Sequence, residues 1–305
     1  MFDIAILGGN GFIGKNLAEM LSNENRYKVT VFDHSITKEE DMISGVHYIM
    51  GDFFDDQSLE NVVKENDVII HTICTVNPGN SNIYYMSAYK NDFRQSVYLC
   101  ELCTKYRKRL VFISSGGAIY GKQNCMPISE DTVAKPLNHY GNLKLCIENT
   151  YRTFFWQQGT NVLIARISNV YGPGQDYSKG VGFIDAVIKN SLTGTDINIY
   201  GDGHVVRDYI YIEDACRMLI SLLDCNSIYN TFNISSNCGA SQNDIVDIVS
   251  KHISNLHINH TKSRSVDVDK AILDNSRVMQ IYSGGILTLE EGIEKYIDYL
   301  KDKME

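Results

Sequence analysis

The stretch Ile4-Ala-Ile-Leu7-Gly8-Gly9-Asn10-Gly11-Phe12-Ile13-Gly14 decides the fold of this chain. An apolar run typical of a strand leads into glycines at 8, 11 and 14, and an amphipathic stretch follows. Glycine at these positions serves the tight turn, the close approach of backbone to a pyrophosphate, and the packing of helix on strand. The free N–H groups at the helix start then face the phosphates. We predict a dinucleotide-binding loop whose contacts are made by Gly8, Gly11, Phe12, Ile13 and Gly14.

The next apolar run ends at Asp33, where a carboxylate can accept hydrogen bonds from both hydroxyls of an adenosine ribose. The same carboxylate repels a 2′-phosphate, and no arginine follows it, so the sequence favours NAD over NADP. Asp52 and Phe53 follow the third predicted strand, in a position to meet the adenine. Capping of the following helix by Asp52 is an equally good interpretation.

Short apolar runs alternate with longer amphipathic stretches, which is typical of parallel βαβ units. Near-continuous apolar strands suit a sheet that is covered on both faces. The predicted strands are Asp3–Leu7, Lys28–Phe32, His47–Met50, Asp67–Thr72, Arg109–Ser114 and Val162–Ile167. The predicted helices are Phe12–Asn23, Ser58–Glu65, Tyr84–Tyr106, Tyr140–Gln157, Gly182–Ser191, Glu213–Asp224, Gln242–His252 and Leu289–Lys301.

This pattern predicts an α/β fold, a Rossmann-type doubly wound parallel sheet with a smaller α/β lobe towards the C-terminus. After Tyr171-Gly-Pro-Gly174 the regular alternation breaks, and Gly and Asn become more frequent. We expect residues 1–168, together with 205–228, to form the nucleotide-binding domain. Residues 169–204 and 229–305 are expected to form the substrate-binding lobe.

Composition narrows the function further. The 305 residues carry a formal net charge of −9 and contain no strongly basic stretch, which argues against a nucleic-acid partner. No apolar run is long enough for a transmembrane helix, and the N-terminus lacks the basic region of a signal peptide. The eight cysteines are scattered without zinc-ribbon spacing, so we expect reduced thiols, no metal site and a cytoplasmic protein.

Tyr140 and Lys144 form the second informative pattern, because residues four apart on a helix share one face. A phenol titrates near pH ~10 and is a poor base at neutral pH. An ammonium beside it favours the phenolate, so we expect Lys144 to lower the pKa of Tyr140. Such a pair is common on ordinary helix surfaces; here the upstream glycine loop favours a role in proton abstraction from a sugar hydroxyl.

With these residues in view, the chain resembles the extended short-chain dehydrogenase/reductase family, specifically nucleotide-sugar epimerases of the UDP-glucose 4-epimerase type. The resemblance covers nearly the whole length, and the motifs fall in the family's order. They are Gly8–Gly14, Asp33, Asp52, Asn91, Ser114–Gly121, Tyr140 with Lys144, Arg166–Gly172, Gly201–Tyr209, and Arg264 with Asp267.

The resemblance implies a role for each matching residue. Tyr140 corresponds to the catalytic base, and Lys144 to the lysine that holds the nicotinamide ribose. Asn91 corresponds to a contact on the nicotinamide side. The implied substrate-binding residues are Asn169 at the diphosphate, Arg207 and Arg264 at the phosphates, Asp267 at the nucleotide ribose, and Tyr209 of the Arg-Asp-Tyr signature. Guanidinium groups suit a diphosphate because they form charge-assisted bidentate hydrogen bonds.

The chain departs from the family pattern in two places. Gly116 stands where the family has a serine that bonds the sugar O4, and Ala118 stands where threonine is also common. Ser114 and Ser115 remain as candidates for this hydroxyl, with Ser115 preferred. The second departure is Arg94, which replaces a glycine three residues after Asn91 and indicates altered helix packing.

The resemblance also bears on the reaction. Family 4,6-dehydratases carry an acid pair after the loop hydroxyl, whereas this chain has glycine and alanine there. Epimerisation at C4 needs only one base and a tightly held NAD. Ala271 matches the position that gates the sugar's 2-substituent, and a small residue there admits N-acetyl groups, so UDP-N-acetylhexosamines and UDP-hexoses are both expected. Alternatively, Ala271 is simply packed at a helix start.

Two other functions stay open. A nucleotide-4-keto-sugar reductase would turn over a reduced cofactor, usually NADPH, which Asp33 disfavours. A non-catalytic NAD-binding regulator on the same fold has no need for Tyr140 and Lys144. The family commonly forms dimers through two helices per subunit, so we expect a homodimer whose four-helix interface is made by Tyr84–Tyr106 and Tyr140–Gln157.

Overall fold

The chain was analysed as a computed structural model, which describes residues 2–176, 182–225, 227, 229–254, 256–261 and 268–304. The strands in chain order are β1 (Phe2–Leu7), β2 (Tyr27–Asp33), β3 (Val46–Met50), β4 (Val68–His71), β5 (Arg109–Ser115), β6 (Val162–Ile167), β7 (Asn169–Tyr171), β8 (Ile197–Tyr200), β9 (Val206–Tyr211), β10 (Thr231–Ile234), β11 (Gly239–Ser241), β12 (Ile258–Thr261) and β13 (Lys270–Ala271).

The α-helices are α1 (Phe12–Ser22), α2 (Asp56–Glu65), α3 (Ser81–Ala88), α4 (Arg94–Lys105), α5 (Gly116–Ile119), α6 (His139–Gln158), α7 (Phe183–Thr193), α8 (Ile212–Leu223), α9 (Gln242–Ser250), α10 (Ser276–Met279) and α11 (Leu289–Asp302). A short 3₁₀-helix covers Glu39–Asp41, and a π-helical segment covers Tyr89–Phe93. Every helix in the described ranges is too short or too polar to cross a bilayer.

The largest sheet has seven strands in the order β10-β6-β5-β4-β1-β2-β3, and the chain reverses its direction of travel across the sheet next to β1. The pairings of β1 with β2 and β4, of β2 with β3, and of β4 with β5 are parallel. Every residue of β4 and β6 is buried, as expected for strands covered on both faces. The predicted doubly wound parallel sheet is therefore confirmed.

The chain divides into two compact units. The first comprises Met1–Ile119, Asn138–Arg166 and Asn226–Phe232, and the second comprises Tyr120–Leu137, Ile167–Cys225 and Asn233–Glu305. The core of the first unit is a cluster of apolar side chains from the sheet strands and from α2, α4 and α6. The second unit has its own cluster, built around α7, α9 and α11.

Helix ends follow recognisable capping chemistry. The side chain of Asn138 caps α6 by accepting from the backbone N–H of Gly141 at 2.8 Å, and the helix ends at Gly159 with a φ of 69°. The left-handed backbone conformation at this position favours glycine. The cap fixes where α6 begins, so Tyr140 lies in its first turn.

The predicted strands are confirmed with bounds that differ by at most one residue, and seven of the eight predicted helices are found near their predicted bounds. The single helix predicted for Tyr84–Tyr106 is wrong. The structure has α3, the π-helical segment Tyr89–Phe93 and then α4, with a kink at Tyr84 (φ −103°, ψ 17°). The π-helical turn lets the buried Asp92 carboxylate accept from the backbone N–H of Thr75 at 2.7 Å, an interaction that hydrophobic periodicity does not report.

We predict that Gly14→Ala lowers the free energy of unfolding by about 1–3 kcal/mol, as overpacking of a tight contact does. A Cβ added at Gly14 would lie 2.4 Å from the carbonyl oxygen of Gly8, which is backbone and cannot swing aside. Urea unfolding followed by circular dichroism measures the change. Gly285→Ala is the control, because a Cβ there meets nothing within 4 Å. Equal losses in the two variants would contradict the assignment of Gly14 to a close helix–strand contact.

Candidate functional site

The glycine loop of the first unit has the geometry that a pyrophosphate needs. Gly8 has a φ of 82°, and Gly14 lies against the backbone of Gly8, so side chains are excluded from both positions. Helix α1 begins at Phe12, and its N-cap is Gly11, which has no side chain to occupy the N–H groups of the first turn. These N–H groups and the helix dipole form an anion site. The predicted loop residues therefore fit a dinucleotide.

Asp33 ends β2 and its carboxylate is held by three protein donors. The backbone N–H and the hydroxyl of Ser35 donate to it at 3.0 and 2.7 Å, and the backbone N–H of Asn10 donates at 3.1 Å. A cavity of about 240 Å³ next to this network is lined in part by Asn10, Ser35, Thr37 and Tyr48. Asn10 was not predicted as a site residue, yet it ties the glycine loop to the segment after β2, because Thr37 also donates to it at 2.8 Å.

Asp52 and Phe53, the two residues predicted to meet the adenine, differ in the groups that they can present to a cofactor. Asp52 does not cap α2, so that interpretation is wrong: the cap is Asp55, which accepts from the N–H of Ser58 at 2.8 Å. The Asp52 carboxylate instead accepts from the N–H of Phe54 at 2.9 Å. The Phe53 side chain is buried, with its ring 5.2 Å from that of His71. Only the backbone of Phe53 is left for a cofactor.

Asn91 lies in the π-helical segment and is exposed, one residue before the buried Asp92. Arg94, which replaces the family's glycine, points to the surface and forms a bidentate ion pair with Asp56, at 2.7 and 2.8 Å. The predicted change in helix packing at this position is therefore a link between α4 and α2. Nothing in this local structure conflicts with a cofactor contact at Asn91.

Helix α6 brings the two central residues of the predicted site to the end of β5. Lys144 is 3% exposed, and its ammonium donates to the carbonyl oxygen of Ile113 at 2.9 Å. The same ammonium lies 5.8 Å from the centre of the Tyr140 ring. The side chain of Ser115, the last residue of β5, is near enough to the Tyr140 phenol to favour its ionised form. A base, a cation and a hydroxyl thus meet at the carboxyl end of a central strand.

The pKa of Tyr140 moves in the direction opposite to the one predicted. Burial raises it above its usual value, the nearby Cys74 adds to the increase, and the side chain of Ser115 opposes it. The prediction that Lys144 lowers this pKa is wrong for this structure, because the ammonium is bound to the carbonyl of Ile113 instead of to the phenol. Desolvation of the phenolate therefore outweighs the cation.

The structure separates the two serines that the sequence left open. The Ser114 hydroxyl is buried and donates to the carboxylate of Glu148 at 2.6 Å, so its proton is already committed to that partner. Ser115 is the residue whose side chain lies near the Tyr140 phenol. Gly116 starts the short helix α5 and is buried.

Four residues predicted to bind the substrate are gathered around β9 in the second unit. Arg207 and Tyr209 are two apart on this strand and therefore share one of its faces. Strand β7 pairs in parallel with β9 and places Asn169 opposite Tyr209. Strand β13 pairs with β9 on the side away from β11 and places Ala271 opposite Arg207. Arg264 and Asp267 lie outside the described residues.

Two of these side chains, Arg207 and Asn169, already have hydrogen-bond partners in the second unit. A guanidinium nitrogen of Arg207 donates to the carbonyl oxygens of Val206, at 3.0 Å, and Val268. The Asn169 amide donates to the carbonyl oxygen of Asp208 at 2.8 Å. Burial raises the pKa of Tyr209 to about 12, although the charge of Arg207 opposes this. Ala271 is buried in a two-residue strand, so the interpretation that placed it at a helix start is wrong.

Asp208 is a candidate site residue that was not predicted from the sequence. It lies between Arg207 and Tyr209 and points to the opposite, buried face of β9. Its carboxylate accepts from the N–H of Ser236 at 3.1 Å and from the N–H of Leu273 at 3.2 Å, and burial raises its pKa to about 6. It therefore fixes β9 and the face that carries Arg207. Strand alternation in the sequence would have indicated this inward direction.

Curated relatives include both isomerases and a reductase. A Methanocaldococcus jannaschii protein provisionally named UDP-glucose 4-epimerase is 29% identical over 98% of this chain and 98% of its own length. An Escherichia coli dTDP-4-dehydro-6-deoxyglucose reductase is 28% identical, again over 98% of both chains.

The fold is similar to that of solved enzymes. The crystal structure of UDP-glucose 4-epimerase from Thermotoga maritima with UDP-glucose superposes with a TM-score of 0.92 and 27% identity, and the match covers 99% of this chain and 100% of that one. Residues 4–235 match the NAD dependent epimerase/dehydratase family, whose cofactor is NAD. This chain belongs to the NAD dependent epimerase/dehydratase family, within the extended short-chain dehydrogenases/reductases.

Proposed function

We propose that the protein is an NAD-dependent nucleotide-sugar 4-epimerase that acts on a UDP-hexose or a UDP-N-acetylhexosamine. The observation that carries the proposal is the position of Tyr140 and Lys144 on one face of α6 at the end of β5, with the side chain of Ser115 near the phenol. These three residues provide a hydroxyl, a base and a cation, which is what removal of a proton from a sugar hydroxyl requires. The relatives that are epimerases support the choice of reaction.

The cofactor is assigned to the first unit, and the sugar nucleotide to the second. The loop Gly8–Gly14 receives the pyrophosphate, Asp33 the adenosine ribose, Asp52 and Phe53 the adenine, and Asn91 and Lys144 the nicotinamide side. Bound NAD would supply a hydride acceptor for C4 of the sugar and would be regenerated in the same turnover, so these residues would have to keep it bound. The carboxylate of Asp33 has no neighbouring arginine, which supports NAD over NADP.

Tyr140 takes the proton from O4 of the sugar in this mechanism, and gives it back after the hydride returns. Ser115 donates to the same oxygen and keeps it at the phenol, which replaces the hydroxyl missing at Gly116. Because burial raises the pKa of Tyr140, the phenolate depends on positive charge closer to its oxygen than the Lys144 ammonium, which is bound to the carbonyl of Ile113. General-base catalysis of this kind contributes on the order of 10²–10⁴-fold.

Inversion at C4 requires the keto sugar to present its other face while the nucleotide stays bound. We assign the diphosphate to Arg207 and Asn169, with Tyr209 beside them on β9. Arg264 and Asp267 complete this assignment on the strength of the family resemblance. The buried Asp208 supports the arrangement, since it holds β9 in place from the opposite face.

The reaction of a 4,6-dehydratase is not supported. That reaction needs an acid to protonate the leaving hydroxyl, and the residues after Ser115 are Gly116, Gly117 and Ala118. A 4-keto-sugar reductase is the second candidate, because the Escherichia coli relative matches over the whole chain. It would consume a reduced cofactor in each cycle. A non-catalytic regulator is the third candidate, but it would not need Ser115, Tyr140 and Lys144 together.

We also infer a homodimer and a cytoplasmic location. The segments expected at the dimer interface carry exposed apolar side chains, among them Tyr84 and Met86 on α3 and Trp156 on α6, the last of which is 79% exposed. Exposed apolar patches of this kind mark protein interfaces. All eight cysteines are free, which supports a reducing compartment.

The proposal is tested by denaturing the purified protein, assaying the extract for nicotinamide cofactor, and incubating the native protein with UDP-glucose or UDP-N-acetylglucosamine without added cofactor. We expect close to one NAD per chain and conversion of at least one sugar to its 4-epimer. Little bound cofactor, no interconversion, and oxidation of added NADPH with a 4-keto nucleotide sugar would instead establish the reductase.

We predict that Tyr140→Phe lowers kcat by roughly 10²–10⁴-fold while bound NAD is retained, because only the proton acceptor is removed. Tyr106→Phe is the matched control: its hydroxyl bonds Glu60, far from the predicted site along the chain. Steady-state kinetics and the cofactor content of both variants provide the measurement. A Tyr140→Phe enzyme with undiminished kcat would show that another group is the base.

We predict that Ala271→Tyr reduces kcat/KM for UDP-N-acetylglucosamine by at least roughly tenfold more than for UDP-glucose. A tyrosine ring beside Arg207 would fill the space that the 2-substituent needs, at a cost of about 1–3 kcal/mol. UDP-glucose is the internal control, since it reports any general damage to β13. Equal losses for the two sugars would mean that Ala271 does not gate the substrate.

A further inference from the structure

Helix α6 carries a third buried polar residue on the face that bears Tyr140 and Lys144. Glu148 follows Lys144 by four residues, so the three side chains lie in one row along the helix. Glu148 is 0% exposed, and no step of the proposed mechanism uses it. A carboxylate so deeply buried needs full compensation by hydrogen bonds and opposite charge.

Three side chains of the first unit converge on the Glu148 carboxylate. The Ser114 hydroxyl donates to one oxygen at 2.6 Å. Arg166 in β6 donates from Nε, at 3.1 and 3.2 Å, and from Nη2 at 2.7 Å. Arg152, one turn further along α6, donates from Nη2 at 2.6 Å. Burial opposes ionisation of Glu148, but the hydrogen bonds and charge of Arg166 outweigh it, so its pKa lies below its usual value.

The row on α6 holds two consecutive residues of β5. Lys144 binds the carbonyl oxygen of Ile113, and Glu148 binds the hydroxyl of Ser114. The next residue, Ser115, has its side chain near the phenol of Tyr140 and opposes the rise of its pKa. Each contact therefore constrains the next along the strand. A shift or rotation at Ser114 would move Ser115, the residue that the reaction uses, away from Tyr140.

We propose that Glu148, acting through Ser114, is a positioning residue that sets the distance between the Ser115 hydroxyl and Tyr140. This inference rests on the proposed function of Tyr140 and Ser115. Glu148 reaches neither the substrate nor the base; it ties α6 to β5 and β6. The chain has lost the usual hydroxyl at Gly116, so proton transfer depends on the position of the single remaining one.

Ser114→Ala is the variant that isolates this role. It removes one donor and leaves Glu148 paired with Arg166 and Arg152, whereas Glu148→Gln leaves buried guanidinium groups without their full counter-charge. Ser191→Ala is the matched control. Ser191 is a buried serine of α7 whose hydroxyl donates to the carbonyl oxygen of Val187 at 2.7 Å, in the second unit.

The first readout is hydrogen–deuterium exchange, which needs no activity. We expect exchange at residues 113–117 to become roughly tenfold faster or more in Ser114→Ala, with unchanged exchange in β1 and β2. Ser191→Ala should leave residues 113–117 unaffected. Unchanged exchange at these residues in Ser114→Ala would overturn the inference even if the enzyme proved inactive or had another function.

The second readout is the split between kcat and KM. A displacement of reacting groups by about 1 Å costs on the order of 10²-fold, so Ser114→Ala should lower kcat by roughly 10–100-fold and leave KM within about twofold. In a Ser115→Ala background, Ser114→Ala should have little further effect on kcat, because the hydroxyl that Ser114 positions is already absent. Full additivity of the two changes would show that Ser114 and Glu148 stabilise the fold without positioning Ser115.

A parent enzyme that fails to epimerise any nucleotide sugar would refute the proposed function, and the exchange experiment would still decide the role of Ser114. Glu148→Asp serves as a further check on the same contact. The shorter aspartate keeps the negative charge but moves it away from Ser114. We therefore expect a kcat between that of the parent enzyme and that of Glu148→Gln. Full activity in both Glu148 variants would contradict the inference.

Discussion

The packing of one face of α6 against the end of β5 is the constraint on which the rest of the site depends. Lys144 and Glu148 bind neighbouring residues of β5, Ile113 and Ser114, so the helix cannot slide without breaking a buried polar contact. Leaving a buried donor or acceptor without a partner is costly, which makes this register strongly preferred over its neighbours. The cap at Asn138 acts with it, because it fixes where the helix starts and therefore which side chains face the strand.

Much of the fold followed from the sequence because it rests on local patterns. Buried runs such as Val68–His71 and Val162–Ile167 predict central strands, and the glycines at 8, 11 and 14 predict the turn into α1. The π-helical segment Tyr89–Phe93 was not predictable in this way. It exists because Asp92 turns inward to the backbone of Thr75, a contact between residues that are 17 apart in the chain.

The sequence predicted which residues belong to the site, but not the direction in which their pKa values shift. Spacing and resemblance named Tyr140, Lys144 and Asp33, yet the direction of the Tyr140 pKa depends on burial, which no spacing reports. The same limit applies to Ser114 and Ser115, since only the path of β5 shows which hydroxyl faces the base. Asp208 and Glu148 were passed over because a buried acid is recognised by its partners, and these come from distant parts of the chain.

In the proposed 4-epimerisation, hydride would leave C4 and return to the same carbon without exchange of the cofactor. The most direct measurement supplies UDP-glucose that carries deuterium at C4, without added cofactor, and follows the product by mass spectrometry and NMR. We expect UDP-galactose with deuterium retained at C4, because bound NAD would carry the hydride between the two transfers. Loss of the label, or formation of product only when reduced cofactor is added, would contradict the proposal.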